Sequence, residues 1–276
     1  AAGLKYLDLG CIPILALDIL NHCTFQLKHL AWETVDCHPI LQTFLERQPS
    51  IQSLALTSLE SFTGLQPRHV PHLRSFCGHA SLAAQIIPGR PVETVIIKGD
   101  PIYPDLLDAI QKIGASNTPV RVLELYSTGL NLGTSREWST PRGFFLELTS
   151  ALPQLRKLKL MLRNEGEGDL INALTETINN FIGDLEDLRC FSIKTDIESF
   201  PMYASHLSEK QEVELYQKWR RSCPRLIEVE YLSARQWHFV DGRWERIQTS
   251  NCFEDRSIEK VWLKDLKPPR AHSAPI

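Results

Sequence analysis

The chain has 276 residues, of which 43% are hydrophobic and 23% charged, and its formal net charge is -3. That balance excludes a bulk positive field of the kind that draws a protein to nucleic acid or to an anionic membrane. No apolar run reaches the roughly 18 residues of a spanning helix. The nearest, residues 10–20, is interrupted by Pro13 and Asp18 and has no basic segment ahead of it, so neither an anchor nor a signal peptide is expected.

Taken in chain order, nine short segments share the pattern apolar-x-x-apolar-x-apolar. They start at Leu4, Leu27, Ile51, Leu73, Val92, Val120, Leu155, Leu188 and Leu226. The last four residues of each alternate apolar and non-apolar, which is the period of a half-buried strand. Pro49, Pro71, Pro91, Pro119, Pro153 and Pro224 each fall one or two residues before a start. Proline gives no ladder hydrogen bond, so these six are expected to mark strand edges. Between the segments the apolar spacing becomes helical, in 12–20, 38–46, 104–113, 143–152 and 170–182. A leucine-rich repeat has a period of roughly 20–29 residues and this same core; the early spacings fit and the later ones overrun. The expected fold is therefore α/β, a leucine-rich-repeat solenoid of about nine irregular repeats, a curved parallel sheet with helical or irregular returns. A doubly wound open sheet is the alternative, but no glycine-rich phosphate loop follows any of the nine segments.

The expected organisation is a solenoid over residues 1–235, an aromatic hairpin cap over 236–262 and a flexible tail over 263–276. The hairpin rests on Asp241-Gly242 between aromatic stretches, with Trp237 and Trp244 as a lid. The tail is proline-rich and poor in apolar residues. Because the first segment starts at Leu4, a capping element is expected upstream of Ala1. Ser205 to Arg221 reads as an amphipathic surface helix with Leu207, Val213, Leu215 and Trp219 inward. Asn131 to Gly143 is a polar insertion carrying Arg136 and Trp138, the composition of an interface hot spot.

Chemistry is sparse. Seven cysteines, an odd number without a C-x-x-C pair, suit buried small side chains in a reducing compartment, the cytoplasm or nucleus. His69, His72, Cys77 and His79 match no standard zinc spacing. Cys77 and Cys190, on the strand side away from the core, would need a placed base to act as nucleophiles. The pair Glu165 and Glu167 sits in a glycine-flanked loop. No G-x-S-x-G or H-E-x-x-H occurs. No enzyme activity, metal or cofactor is expected. Binding is expected instead on the face built from alternate strand positions. There Lys157, Lys159 and Lys194 make a basic stripe between an acidic repeat (Glu124, beside Tyr126) and an acidic end (Glu228, Glu230), with Ser192 among them. The earlier repeats put small or mixed residues there, such as Ala31, Ser53 and Ala55. Such a pattern gives specificity and on-rate more than affinity.

Residues 73–100, with Pro88-Gly89-Arg90-Pro91-Val92, and 219–244, from Cys223-Pro224 through Trp237, resemble segments of the F-box/leucine-rich-repeat-like proteins of mushroom-forming fungi. The resemblance implies the substrate-recognition region of an SCF-type ubiquitin ligase. In that reading the target protein lies on the concave face, and an F-box upstream of Ala1 engages the Skp1 adaptor and cullin. The chain itself contains no L-P-x-E segment followed by an apolar helical bundle. A scaffold or regulator unconnected to ubiquitin is the alternative. Neither nucleic acid nor membrane is expected as a partner.

Overall fold

The computed structural model describes residues 4–10, 22, 24–33, 39–57, 65–99, 103–126, 141–162, 169–195, 207–232 and 235–247. The chain divides into two compact units, 1–246 and 247–276; apart from Ile247, the described residues belong to the first. Strands β1 (Tyr6–Asp8), β2 (His29–Trp32), β3 (Ser53–Leu56), β4 (Ser75–Gly78), β5 (Thr94–Lys98), β6 (Val122–Tyr126), β7 (Lys157–Leu162), β8 (Cys190–Thr195) and β9 (Glu228–Tyr231) form a parallel sheet. Each begins two residues after one of the nine apolar starts. An antiparallel strand β10 (Gln236–Val240) pairs with β9, and β11 (Arg243–Ile247) follows it.

The strand order is the chain order, with no switch point and no closure. Parallel crossovers share one hand. Connections that always advance in one direction therefore leave their helices on the same face of the sheet. The helices are α1 (Pro39–Glu46), α2 (Ala80–Ile86), α3 (Tyr103–Gly114), α4 (Pro141–Ala151), α5 (Asp169–Phe181) and α6 (Glu209–Ser222). Pro39, Pro104 and Pro141 occupy the first or second helical position, where their missing N–H costs nothing. Among the expected helices, 12–20 lies outside the described residues. Helix α2 is an addition: its run of small residues, Ala80 to Ala84, shows no strong periodicity.

One core runs the length of the sheet. Leu30, Leu54, Phe76, Val95, Leu123, Leu158, Phe191 and Val229, in register on successive strands, are fully buried against the helices. In the C-terminal half the core is aromatic. Phe145 stacks on Phe181 with centroids 3.9 Å apart, Phe181 meets Phe191 edge-on, Phe191 meets Trp219, and Trp219 meets Tyr231.

The prolines do not sit at strand edges, because the strands start three or four residues later. Four of them occupy the second position of a tight turn. Its closing bonds run from Ile51 N to Gln48 O, Leu73 N to Val70 O, Leu155 N to Leu152 O and Leu226 N to Cys223 O, at 3.1 to 3.3 Å. Proline is favoured there because its fixed φ suits the turn. Polar side chains staple two of these turns to the preceding segment. Gln48 accepts from Leu27 N and donates to Phe25 O, both at 2.9 Å, and the Cys223 thiol donates to Leu185 O and Leu188 O. Arg90 of the P-G-R-P-V segment is wholly buried. Its guanidinium donates to Ile86 O at the end of α2, to Leu65 O at 3.4 Å and to Gln66 O at 2.6 Å. Burial pulls its pKa down to about 10, which still leaves the guanidinium charged at neutral pH.

The hairpin forms at Asp241-Gly242, with φ of 49° and 87°, the pair of positive values a two-residue type I′ turn needs. Trp237 and Trp244 are buried, each edge-on to Tyr216 of α6. Helix α6 buries Trp219 and, with Leu207 just ahead of it, packs Val213 and Leu215 against the core as expected, but the centre of its inward face is shifted. Glu212, Tyr216 and Trp219 are buried, whereas Val213 and Leu215 are only half-buried at its flank. The reason is polar. The Glu212 carboxylate has no exposed surface and accepts from Trp237 Nε1 at 3.0 Å and from Arg235 at 3.2 Å. Burial together with the Glu212 charge pushes the Tyr216 phenol up.

Candidate functional site

The face turned away from the helices consists of three rows of side chains set by the sheet register. One row reads Ser53, Ser75, Thr94, Val122, Lys157, Cys190, Glu228 from β3 to β9. The next reads Ala55, Cys77, Ile96, Glu124, Lys159, Ser192, Glu230. On the third, Lys98, Tyr126, Met161 and Lys194 follow one another from β5 to β8. Adjacent strands lie about 4.8 Å apart, so the members of a row are neighbours, and opposite charges on neighbouring strands can pair.

They do pair. Lys157 Nζ lies 2.7 Å from Glu124 Oε1, and the Tyr126 hydroxyl donates to Glu124 Oε2 at 2.8 Å. Lys159 donates to the Tyr126 oxygen at 2.8 Å, with its ammonium 4.7 Å from the ring centroid. Lys194 Nζ lies 2.7 Å from Glu230 Oε1, and the Ser192 hydroxyl donates to the other oxygen at 3.2 Å. Glu228 accepts from Gln236 Nε2 at 2.5 Å and from the Cys190 thiol at 3.4 Å, and His238 Nε2 is 3.4 Å away. The expected basic stripe is thus no separate patch, since each ammonium is held by a group on a neighbouring strand.

The network sorts the residues by accessibility. Glu124 is only 9% exposed, so its oxygens are spent inside the sheet surface. The side chains of Lys157 and Lys194 remain 43% and 37% exposed, and can present their outer edges to a partner. Burial alone would raise the Glu124 pKa, but the Lys157 ammonium, the Tyr126 hydroxyl and the Lys159 charge outweigh it and leave the carboxyl below its ordinary value. Burial, then the Glu124 carboxylate, push the Tyr126 phenol up. Burial lowers the Lys159 ammonium, with Lys194 and Lys157 adding to the effect and Glu124 opposing it.

The two thiols on this face are poor nucleophiles. Burial, at 1% exposure, pushes Cys77 up to about 11. Burial, then the adjacent Glu228 carboxylate, push Cys190 up to about 11 as well. The thiolate, not the thiol, attacks. Among the described residues no cluster of three or more His, Cys, Asp or Glu side chains could hold a metal ion. The structure therefore brings together Glu124, Tyr126, Lys157, Lys159, Ser192, Lys194, Glu228 and Glu230. Arg136 and Trp138, with Glu165 and Glu167, lie outside the described residues.

Gln236 and His238, on the hairpin strand β10, join the site by gripping Glu228, which sequence alternation along β9 alone did not reveal. The available signal was the Asp-Gly turn, which fixes the pairing of β10 and hence which of its side chains share the face. Comparison with known proteins gives no matching family model and no matching curated protein.

Proposed function

We propose that this chain is a leucine-rich-repeat protein-interaction module without catalytic chemistry, and that the face away from the helices receives a target protein. The observation that carries the reading is the two clusters of paired polar side chains on this face, one across β6 and β7 and one across β8 and β9. Their geometry is set before any partner arrives, so little side-chain entropy remains to be lost on docking. Protonated thiols and a carboxylate already saturated by Lys157 and Tyr126 offer no group poised for acid, base or nucleophilic work. The repeat assignment is supported by nine parallel strands, each two residues beyond an apolar start, in unbroken chain order. The resemblance adds the biological setting: the substrate-recognition half of an SCF-type ubiquitin ligase receptor, in the cytoplasm or nucleus. The unpaired thiols of Cys77, Cys190 and Cys223 suit a reducing compartment, and no helix among the described residues is long and apolar enough to cross a membrane.

The test is affinity purification with mass spectrometry, using the gene's complete product as one bait and these 276 residues as the other. Recovery of Skp1 and cullin with the complete product, and of the same target with both baits, is the expected result. A target without Skp1 or cullin in either sample would remove the ubiquitin setting and leave a scaffold.

A further inference from the structure

The second residue of each apolar segment forms its own column at the leading edge of the sheet, just before the strands begin. From one repeat to the next, that residue's amide donates to the carbonyl of its predecessor. Arg74 N bonds Gln52 O, Glu93 N bonds Arg74 O, Arg121 N bonds Glu93 O, Arg156 N bonds Arg121 O and Arg189 N bonds Arg156 O, at 2.7 to 2.8 Å. Over β6 to β8 the column is three consecutive arginines, Arg121, Arg156 and Arg189, one strand spacing apart. Like charges in register repel. The open face answers Lys157 and Lys194 with carboxylates at 2.7 Å, whereas this column has almost no answer. Among the described residues one ion pair touches it, Arg121 to Glu93 at 3.9 Å. Glu93 and Gln52 interrupt the basic character further up, and Lys28 and Arg74 resume it.

A second feature lies at the same edge. The turns leading into β6 and β7 enclose a groove of about 430 Å³, lined among others by Asn117, Thr118, Pro119, Ser150, Pro153 and Gln154. These residues flank Arg121 and Arg156 in the chain.

We infer that this edge is a second docking strip, distinct from the open face, for an acidic extended segment of a partner protein. Its carboxylates would meet Arg121, Arg156 and Arg189. The arginine fork matches a carboxylate through two parallel hydrogen bonds. Three cations span about 10 Å at the strand spacing, the reach of a few extended residues. A nucleic acid fits less well, because the column carries no aromatic side chain on which a base could stack and the chain as a whole is acidic.

The experiment is fluorescence anisotropy of a labelled octa-glutamate peptide with the full chain, at low and at physiological salt. Wild type binds, and its affinity falls as salt rises. The variant Arg121→Gln/Arg156→Gln/Arg189→Gln loses at least tenfold while melting at the wild-type temperature. Lys157→Met/Lys194→Met, altered on the open face, binds the peptide as wild type does. No binding by wild type, or equal binding by the triple arginine variant, would overturn the inference. So would a single-stranded oligonucleotide of equal charge binding more tightly than the peptide.

Discussion

The two halves of the open face are built on one backbone register and differ almost wholly in side-chain size and charge. From β3 to β5 the two inner rows are Ser53, Ser75, Thr94 and Ala55, Cys77, Ile96, small or apolar and without an ion pair among the described residues. From β6 to β9 the same rows are Val122, Lys157, Cys190, Glu228 and Glu124, Lys159, Ser192, Glu230, tied, with Tyr126 and Lys194 of the third row, by ion pairs and hydrogen bonds between β6 and β7 and between β8 and β9. Stability in the first half therefore comes from the packing beneath the strands. In the second half the surface itself contributes. In the smooth half Ser53, Cys77 and Ile96 are themselves buried, whereas in the proposed reading the charged half sets a partner's orientation.

The largest expected effect lies under the smooth half. Gly78 ends β4 on its core side, and a Cβ there would collide with the Leu56 carbonyl and stand 2.9 Å from the Phe76 ring. Gly78→Ala is expected to cost about 3 kcal/mol through overpacking, read from urea unfolding midpoints. On the charged half, Glu124→Ala strips Lys157 and Tyr126 of their acceptor and is expected to cost about 2 kcal/mol. Ser75→Ala, on the smooth half, should stay within about 0.5 kcal/mol of wild type. Equal costs for these two would erase the contrast.

Acid sharpens the same comparison. The Glu124 carboxyl lies below its ordinary value when folded, so the unfolded chain takes up that proton first. Its contribution is complete above the unfolded carboxylate pKa of about 4 and disappears as pH falls through the folded value. Glu124→Gln should accordingly flatten the loss of stability between pH 5 and about pH 3, measured as the urea midpoint at each pH. A smaller effect concerns the thiols. With pKa values of about 11, Cys77 and Cys190 should react with iodoacetamide at pH 8 at about one two-hundredth the rate of an ordinary thiol, judged by thiolate fraction. Cys77, being buried, should be the slower of the two. Lys194→Met is expected to cost little, under about 1 kcal/mol, because the pair is partly exposed and screened.

Much of this architecture was legible in the chain. The apolar starts located all nine parallel strands because their period-two burial leaves a direct trace in sequence, and Asp241-Gly242 located the hairpin. The composition of the open face was legible too, since alternation alone selects Glu124, Lys157, Lys159, Lys194 and Glu230. What alternation could not give is who holds whom. Lys157 reaches Glu124 from the neighbouring strand, 33 residues on in the chain, and that pairing depends on the register between repeats of unequal length. Arg90 and Glu212 were invisible for a related reason. Each is a charged residue wholly buried, and its partners, Gln66 O for one and Trp237 Nε1 for the other, come from 24 and 25 residues away. The prolines were read as strand edges because tight turns and strand starts carry the same residue, and only the hydrogen bond closing each turn separates them.

The claim that the open face is the target-binding surface is tested most directly by filling it. Ser75→Trp and Ser192→Trp put a large side chain on the smooth and charged halves, while Lys218→Trp puts one on the exposed side of α6. Each variant, with wild type, would serve as bait in quantitative affinity purification, after its melting temperature is shown to match wild type. The account predicts that target recovery falls at least tenfold for one or both face variants and stays unchanged for Lys218→Trp. Undiminished recovery with both face variants would contradict it.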